Sequence, residues 1–166
     1  MIRTIADFTE EWAYERETTR KVLDRLTDAS LGQEVTPGGR TLGRLAWHLV
    51  QTLVEMPGHA GIPVAGPGME EPAPLAAREI GEQYTAAAEA LGRAVEATWT
   101  DAALGEDVGM YGDVWKKGQV LSALIKHEAH HRGQMTVLMR QAGLTVPGVY
   151  GPAREEWAAF GMAAQD

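Results

Sequence analysis

Apolar side chains recur at three- and four-residue intervals through four separate stretches of this chain, and this period most constrains the fold. Ile5, Phe8, Trp12, Val22, Leu23 and Leu26 form one stripe, which predicts a helix from about Thr4 to Asp28. Thr41 can cap a second helix carrying Leu42, Leu45, Leu49, Leu53 and Met56, which Pro57-Gly58 should stop. A third runs from about Leu75 to Trp99 through Ile80, Tyr84, Ala87, Leu91 and Val95, and a fourth from about Gly118 to Ala142, closed by Gly143. A short fifth helix is expected around Ala153 to Ala163. No segment has the strict alternation of a half-buried strand, and residues 100–117 read as mixed. The expected architecture is an all-α four-helix bundle with a short C-terminal fifth helix, one domain over residues 1–166.

A chain of 166 residues is long enough to bury roughly 70% of its unfolded surface. Between helices two and three, residues 57–74 hold five prolines and four glycines. So long a connection is expected to be a functional or mobile surface loop. The net charge of −8, with basic residues scattered, argues against neutralising a phosphate backbone, so no nucleic-acid partner is expected. No apolar run approaches the ~18 residues of a membrane span and none resembles a secretory signal, so the expected location is the cytoplasm. Without cysteine, a metal could be held only by His, Asp or Glu.

The five histidines are His48, His59, His127, His130 and His131. Residues four apart on a helix share a face, so His127 and His131 point together. Both lie on the inward stripe Leu124, His127, His131, Met135, Leu138, and His48 is inward on the second helix. Unsatisfied buried polar groups cost on the order of 1–3 kcal/mol, so these rings need partners. Separate core histidines bonded to backbone carbonyls, or to Glu55 for His48, are one solution. A metal shared by His48, His127 and His131 is the other, and the spacing favours it. His130 lies about 60° round the helix from His127, at the edge of such a site or on another interface. His59 falls in the Pro/Gly loop and is expected to be exposed.

Residues 127–131 also spell His-Glu-x-x-His, the zinc-protease pattern, in which Glu128 would activate a metal-bound water. The downstream third histidine of one protease group is missing, since Val137 occupies its place, although Glu155 or Glu156 could substitute. Glu128 is rotated about 100° from His127, which suits a solvated or salt-bridged side chain equally well. Arg132 points away from the histidine stripe and reads as a solvated or paired charge. Gln134 suits a group that orients a ligand or water, or a surface amide. Thr52 and Glu55 are candidates to support His48, and Trp47, Tyr111, Trp115, Tyr150 and Trp157 could wall a pocket or simply pack.

The run His127-x-x-x-His131-Arg132-Gly133-Gln134, followed by Leu138 and Gly143, resembles the signature of the DinB/YfiT-like superfamily. Arg40-Thr41-Leu42-Gly43, leading to His48, does so as well. The resemblance covers nearly the whole chain in element order. It implies up-down-down-up connections, a homodimer, and one divalent metal ion per chain on His48, His127 and His131. Nickel or zinc comes first, with iron or manganese as alternatives. It further implies a metal-dependent hydrolase, or a transferase of low-molecular-weight thiols, acting on a small molecule. It assigns nothing to Glu128 or His130. A non-catalytic, metal-stabilised dimeric bundle is the alternative, and a small zinc protease ranks below both.

Overall fold

The computed structural model describes residues 2–164. Four helices, α1 (Ile5–Leu23), α2 (Leu42–His59), α3 (Ala77–Thr98) and α4 (Lys117–Gln141), pack around one core. Thr4 caps α1 reciprocally with Asp7: the Asp7 amide donates to Thr4 Oγ1, and the Thr4 amide to Asp7 Oδ2. Thr41 caps α2 by accepting from the Arg44 amide at 3.1 Å, as its sequence position predicts. No side chain of its own caps α3. Asp28, in a 3₁₀ turn (Asp28–Ser30), instead accepts from the Ala77 amide at 2.8 Å, bringing a carboxylate to the positive end of that helix. At the end of α4 the Leu144 amide donates to the Met139 carbonyl and Gly143 to Arg140. This closing turn needs φ +75° at Gly143, which a glycine adopts without strain.

Contacts along the helices fix their directions. Thr9 meets Glu96 and the Trp12 indole donates to the Ala88 carbonyl, so α1 and α3 run antiparallel. The Ile2 amide donates to Ser122 Oγ near the start of α4, and Arg132 reaches Glu15 further along both, so α1 and α4 run parallel. Helix α2 packs on both α3 and α4. It runs against α4, because Leu45 near its start shares a groove with Leu138 late in α4, while Glu55 near its end accepts from Tyr111, just before α4 begins. The result is the up-down-down-up bundle.

This topology explains the Pro/Gly connection. Because α2 and α3 run the same way, the chain must travel back along the bundle between them. It does so pressed against α2, with Ile62 and Val64 buried. Buried Gln51 donates its amide to the carbonyls of Gly68, Met69 and Glu71, and the Trp47 indole donates to the Glu71 carbonyl. The segment expected to be functional or mobile is a tethered structural crossover, and Trp47 is one of its tethers rather than a pocket wall.

Four boundaries differ from expectation. Helix α1 ends at Leu23, and the residues to Asp28 turn away into the 3₁₀ turn. Helix α2 continues through Pro57 to His59, because a proline in the last turn sacrifices only the bond to Leu53, while its own carbonyl accepts from Ala60 and Ile62. The short fifth helix is 3₁₀, Arg154–Phe160. The stretch read as mixed is a β-hairpin, β1 (Asp107–Met110) and β2 (Asp113–Lys116), paired Val108 to Trp115 and Gly109 to Val114. Its turn residues Tyr111 and Gly112 both have positive φ, 53° and 86°, as a two-residue hairpin turn requires. Two four-residue strands with a glycine in one carry no readable alternation, which is why the sequence hides them. None of the described helices is long and apolar enough to cross a membrane.

Candidate metal centre

The α2–α4 packing brings three histidines together. His48 Nε2 lies 3.3 Å from His127 Nε2, and His131 Nε2 lies 3.1 Å from the same atom. The three donor nitrogens fall within 4.8 Å of one another and form a group that could hold a metal ion. Four ligands at the ~2.05 Å usual for zinc–imidazole bonds form a tetrahedron with edges of about 3.3 Å, so the two separations from His127 match ligands around one ion.

The protonation pattern fits as well. Burial, reinforced by the neighbouring histidines, holds His48 and His127 down at about 4, and burial lowers His131 too. All three are therefore neutral at pH 7, as ligands must be. His131 Nδ1 lies 2.7 Å from Gln134 Oε1. An amide oxygen can only accept, so the His131 proton sits on Nδ1 and leaves Nε2 bare toward its two neighbours. His127 Nδ1 is buried without a partner among the described residues. His127 Nε2 carries at most one proton and cannot make a separate linear hydrogen bond to each neighbour, whereas a cation would accept the lone pairs of all three nitrogens.

The other sequence candidates fall elsewhere. His130 is exposed beside His131, with ring centroids 4.9 Å apart, and is outside the group. His59 ends α2, pairs with Glu55 at 3.0 Å and packs edge-on to Tyr111. Glu55 also accepts from the Tyr111 hydroxyl at 2.7 Å, and Thr52 donates to the Leu49 carbonyl, so neither bonds to His48. Gln134 is the supporting residue that the geometry provides.

Glu128 is neither solvated nor salt-bridged by any short contact. It is fully buried on the side of α4 facing α1 and α3, where Thr19 and Tyr84 donate to its Oε2 at 2.8 and 2.9 Å. Burial pushes its carboxyl up to about 7. A protease would need this carboxylate on the histidine side. Glu155 and Glu156, the downstream candidates, are also engaged: Glu155 pairs with Arg140, and Glu156 accepts from the Gly148 and Ala153 amides.

Next to Glu128 lies a buried ion pair that the sequence reading only half anticipated. Arg132, 1% exposed, pairs with Glu15 and donates to Thr19 Oγ1 and the Glu15 carbonyl at 2.9 Å. The Tyr150 hydroxyl caps the pair from outside. A signal for Glu15 and Thr19 did exist. They fill the gap between Trp12 and Val22 in the α1 stripe, and a polar residue on a core face demands a partner.

The DinB family model matches residues 1–166. The chain is 45% identical over 164 residues to the uncharacterized protein YrdA of Bacillus subtilis (strain 168), covering 99% of this chain and 98% of that one. A crystal structure of a DinB-like protein from Bacillus cereus ATCC 10987 superposes with a TM-score of 0.87 at 45% identity, over 90% of this chain and all of that one. The fold extends to a DinB-like protein of B. subtilis, YjoA, with a TM-score of 0.69 at 16% identity, over 86% of this chain and 97% of that one. By sequence along its whole length and by fold, the chain belongs to the DinB family.

Proposed function

We propose that His48, His127 and His131 hold one divalent ion, nickel or zinc, and that the protein is a metal-dependent hydrolase or low-molecular-weight-thiol transferase acting on a small molecule. The observation that carries this reading is the convergence of three neutral imidazole nitrogens at the spacing of ligands on one ion. Three protein ligands leave coordination positions open, as catalytic sites do. When bound, such an ion lowers the pKa of a coordinated water or thiol and so supplies a nucleophile at neutral pH.

The protein's own part is to hold the donors still. His48 comes from α2 and the other two from α4, so the site spans a helix interface and depends on the tertiary fold. Gln134 fixes the tautomer and ring plane of His131. Replacing it with leucine is expected to weaken metal affinity about 10- to 100-fold, read by competition with a chromogenic chelator. Homodimerisation and a cytoplasmic location belong to the same proposal and rest on the family resemblance and the sequence.

The test is a screen of nickel- and zinc-loaded protein for thiol addition to epoxides and for ester and amide hydrolysis, beside His48→Ala and His127→Ala. Metal-dependent turnover that disappears in both variants supports the reading. Turnover unchanged in either one refutes the site. A metal-dependent rise in Tm with no turnover across these substrates would reduce the ion to a tie between α2 and α4, since any bound metal raises Tm by mass action.

A further inference from the structure

A groove of about 500 Å³ opens between α2 and α4, next to the histidines. Its floor and sides are Leu45, one turn before His48, with Val137 and Leu138 beyond His131, and Val35 across from them. Three polar side chains line it, Thr36, Arg40 and Gln134, of which Arg40 alone carries a charge. None of the three histidines lines the groove itself; Gln134, which bonds His131, links the two, whereas two larger grooves of about 610 and 620 Å³ border α1 and lack Gln134.

Arg40 is held by a built loop. An antiparallel bridge between Glu34 and Thr41 closes residues 35–40, and the Gly39 amide donates to the Thr36 carbonyl at 2.8 Å. Gly38 at φ +80° makes this turn, following Pro37. A side chain at Gly39 would meet the Thr36 carbonyl at 2.9 Å, so the close approach within this turn requires a glycine there. The loop delivers Arg40 directly before the α2 cap, exposed and with no ion-pair or hydrogen-bond partner among the described residues. Arg44, the other cation nearby, donates to Gln51 at 2.8 Å.

The second donor follows from His131. With Gln134 Oε1 taken by Nδ1–H, the amide nitrogen of this exposed side chain is free, again among the described residues. An unpaired guanidinium and a free amide N–H therefore flank one apolar groove. Beside a divalent ion, Arg40 would add like charge to like, and an anion between them relieves that repulsion. In a chain of net charge −8, a local cation is also what an anionic ligand needs to approach.

We propose that this groove is the anion-binding part of the substrate site, where Arg40 and the Gln134 amide nitrogen take a carboxylate and the apolar walls take its hydrocarbon body. As a substrate subsite it rests on the metal reading above, and Arg40 is its specificity-determining residue.

Calorimetric titration with hexanoate, acetate, hexan-1-ol and hexylamine tests it, on nickel-loaded and nickel-free protein and on Arg40→Gln, with nickel content measured on each sample. Hexanoate is expected to bind about tenfold or more tighter than the alcohol or amine, and tighter than acetate. Arg40→Gln should erase most of the preference for charge while leaving nickel content unchanged. Failure to load nickel would count against the metal reading alone, because the Arg40-dependent preference is also read on nickel-free protein. Equal binding of hexanoate and hexan-1-ol, no saturable binding of any of them, or an unchanged preference in Arg40→Gln overturns the proposal. So does a shift of Arg40→Gln between monomer and dimer in sedimentation without a preference for charge, which would make the groove a face between copies.

Discussion

Replacing Arg132 with methionine is expected to lower the stability of the metal-free protein by about 3–5 kcal/mol, measured by urea denaturation in the presence of a chelator. Glu15 is nearly as buried as Arg132, and its carboxylate would be left without its counter-charge in the core. Thr19 Oγ1, the Glu15 carbonyl and the Tyr150 hydroxyl would lose a donor at the same time. The Arg132 guanidinium also packs 5.3 Å from the Tyr150 ring, a contact methionine replaces only as apolar surface. Combining Arg132→Met with Glu15→Leu should recover much of the loss, because desolvating two charges offsets most of what their attraction contributes. If the single variant loses under about 1 kcal/mol, the pair is hydrated in solution and the packing of α1 on α4 described above is wrong.

The second large effect is a pH dependence from Glu128. Its carboxyl lies at about 7 in the fold against an ordinary 4.5, with burial the chief cause, so the folded state binds this proton more tightly than the unfolded one. Stability should therefore fall as pH rises from about 4.5 to about 7, and this term should be flat above that. The shift corresponds to about 3 kcal/mol. His48 and His127 contribute in the opposite direction between about 4 and 6.5, since their folded values are depressed. Comparison with Glu128→Gln cancels them. Across the window from pH 4.5 to 8, the stability of the glutamine variant relative to wild type should rise by about 3 kcal/mol. A constant difference would mean that Glu128 titrates as an exposed carboxylate and is not enclosed by Thr19 and Tyr84.

The sequence made some parts of this molecule legible for a definite reason. A helical period acts over many residues, so four long amphipathic stripes could be read without knowing what they pack against. The same period put His127 and His131 on one face and His48 on an inward one. What remained hidden depends on contacts between segments distant in sequence. The hairpin at 107–116 is too short for alternation to register. Gln134 reads equally well as a surface amide until its oxygen is found against His131. Glu128 read as solvated or salt-bridged, because nothing in its local sequence shows that Thr19 and Tyr84 enclose it. The Pro/Gly crossover has the composition of a free loop, yet Gln51 and Trp47 pin it along α2. Arg40, six residues from the Glu34 bridge, gains meaning only when that loop closes beside α4.

The most direct test of the central reading is metal content by elemental analysis of purified, untagged protein, with His48→Ala and His127→Ala prepared in parallel. About one divalent ion per chain in the wild type, lost from both variants, is the expected result, because the two residues come from different helices and meet only at this site. A wild type that takes up no metal when offered nickel and zinc, or a His48→Ala variant that keeps a full complement, would contradict it.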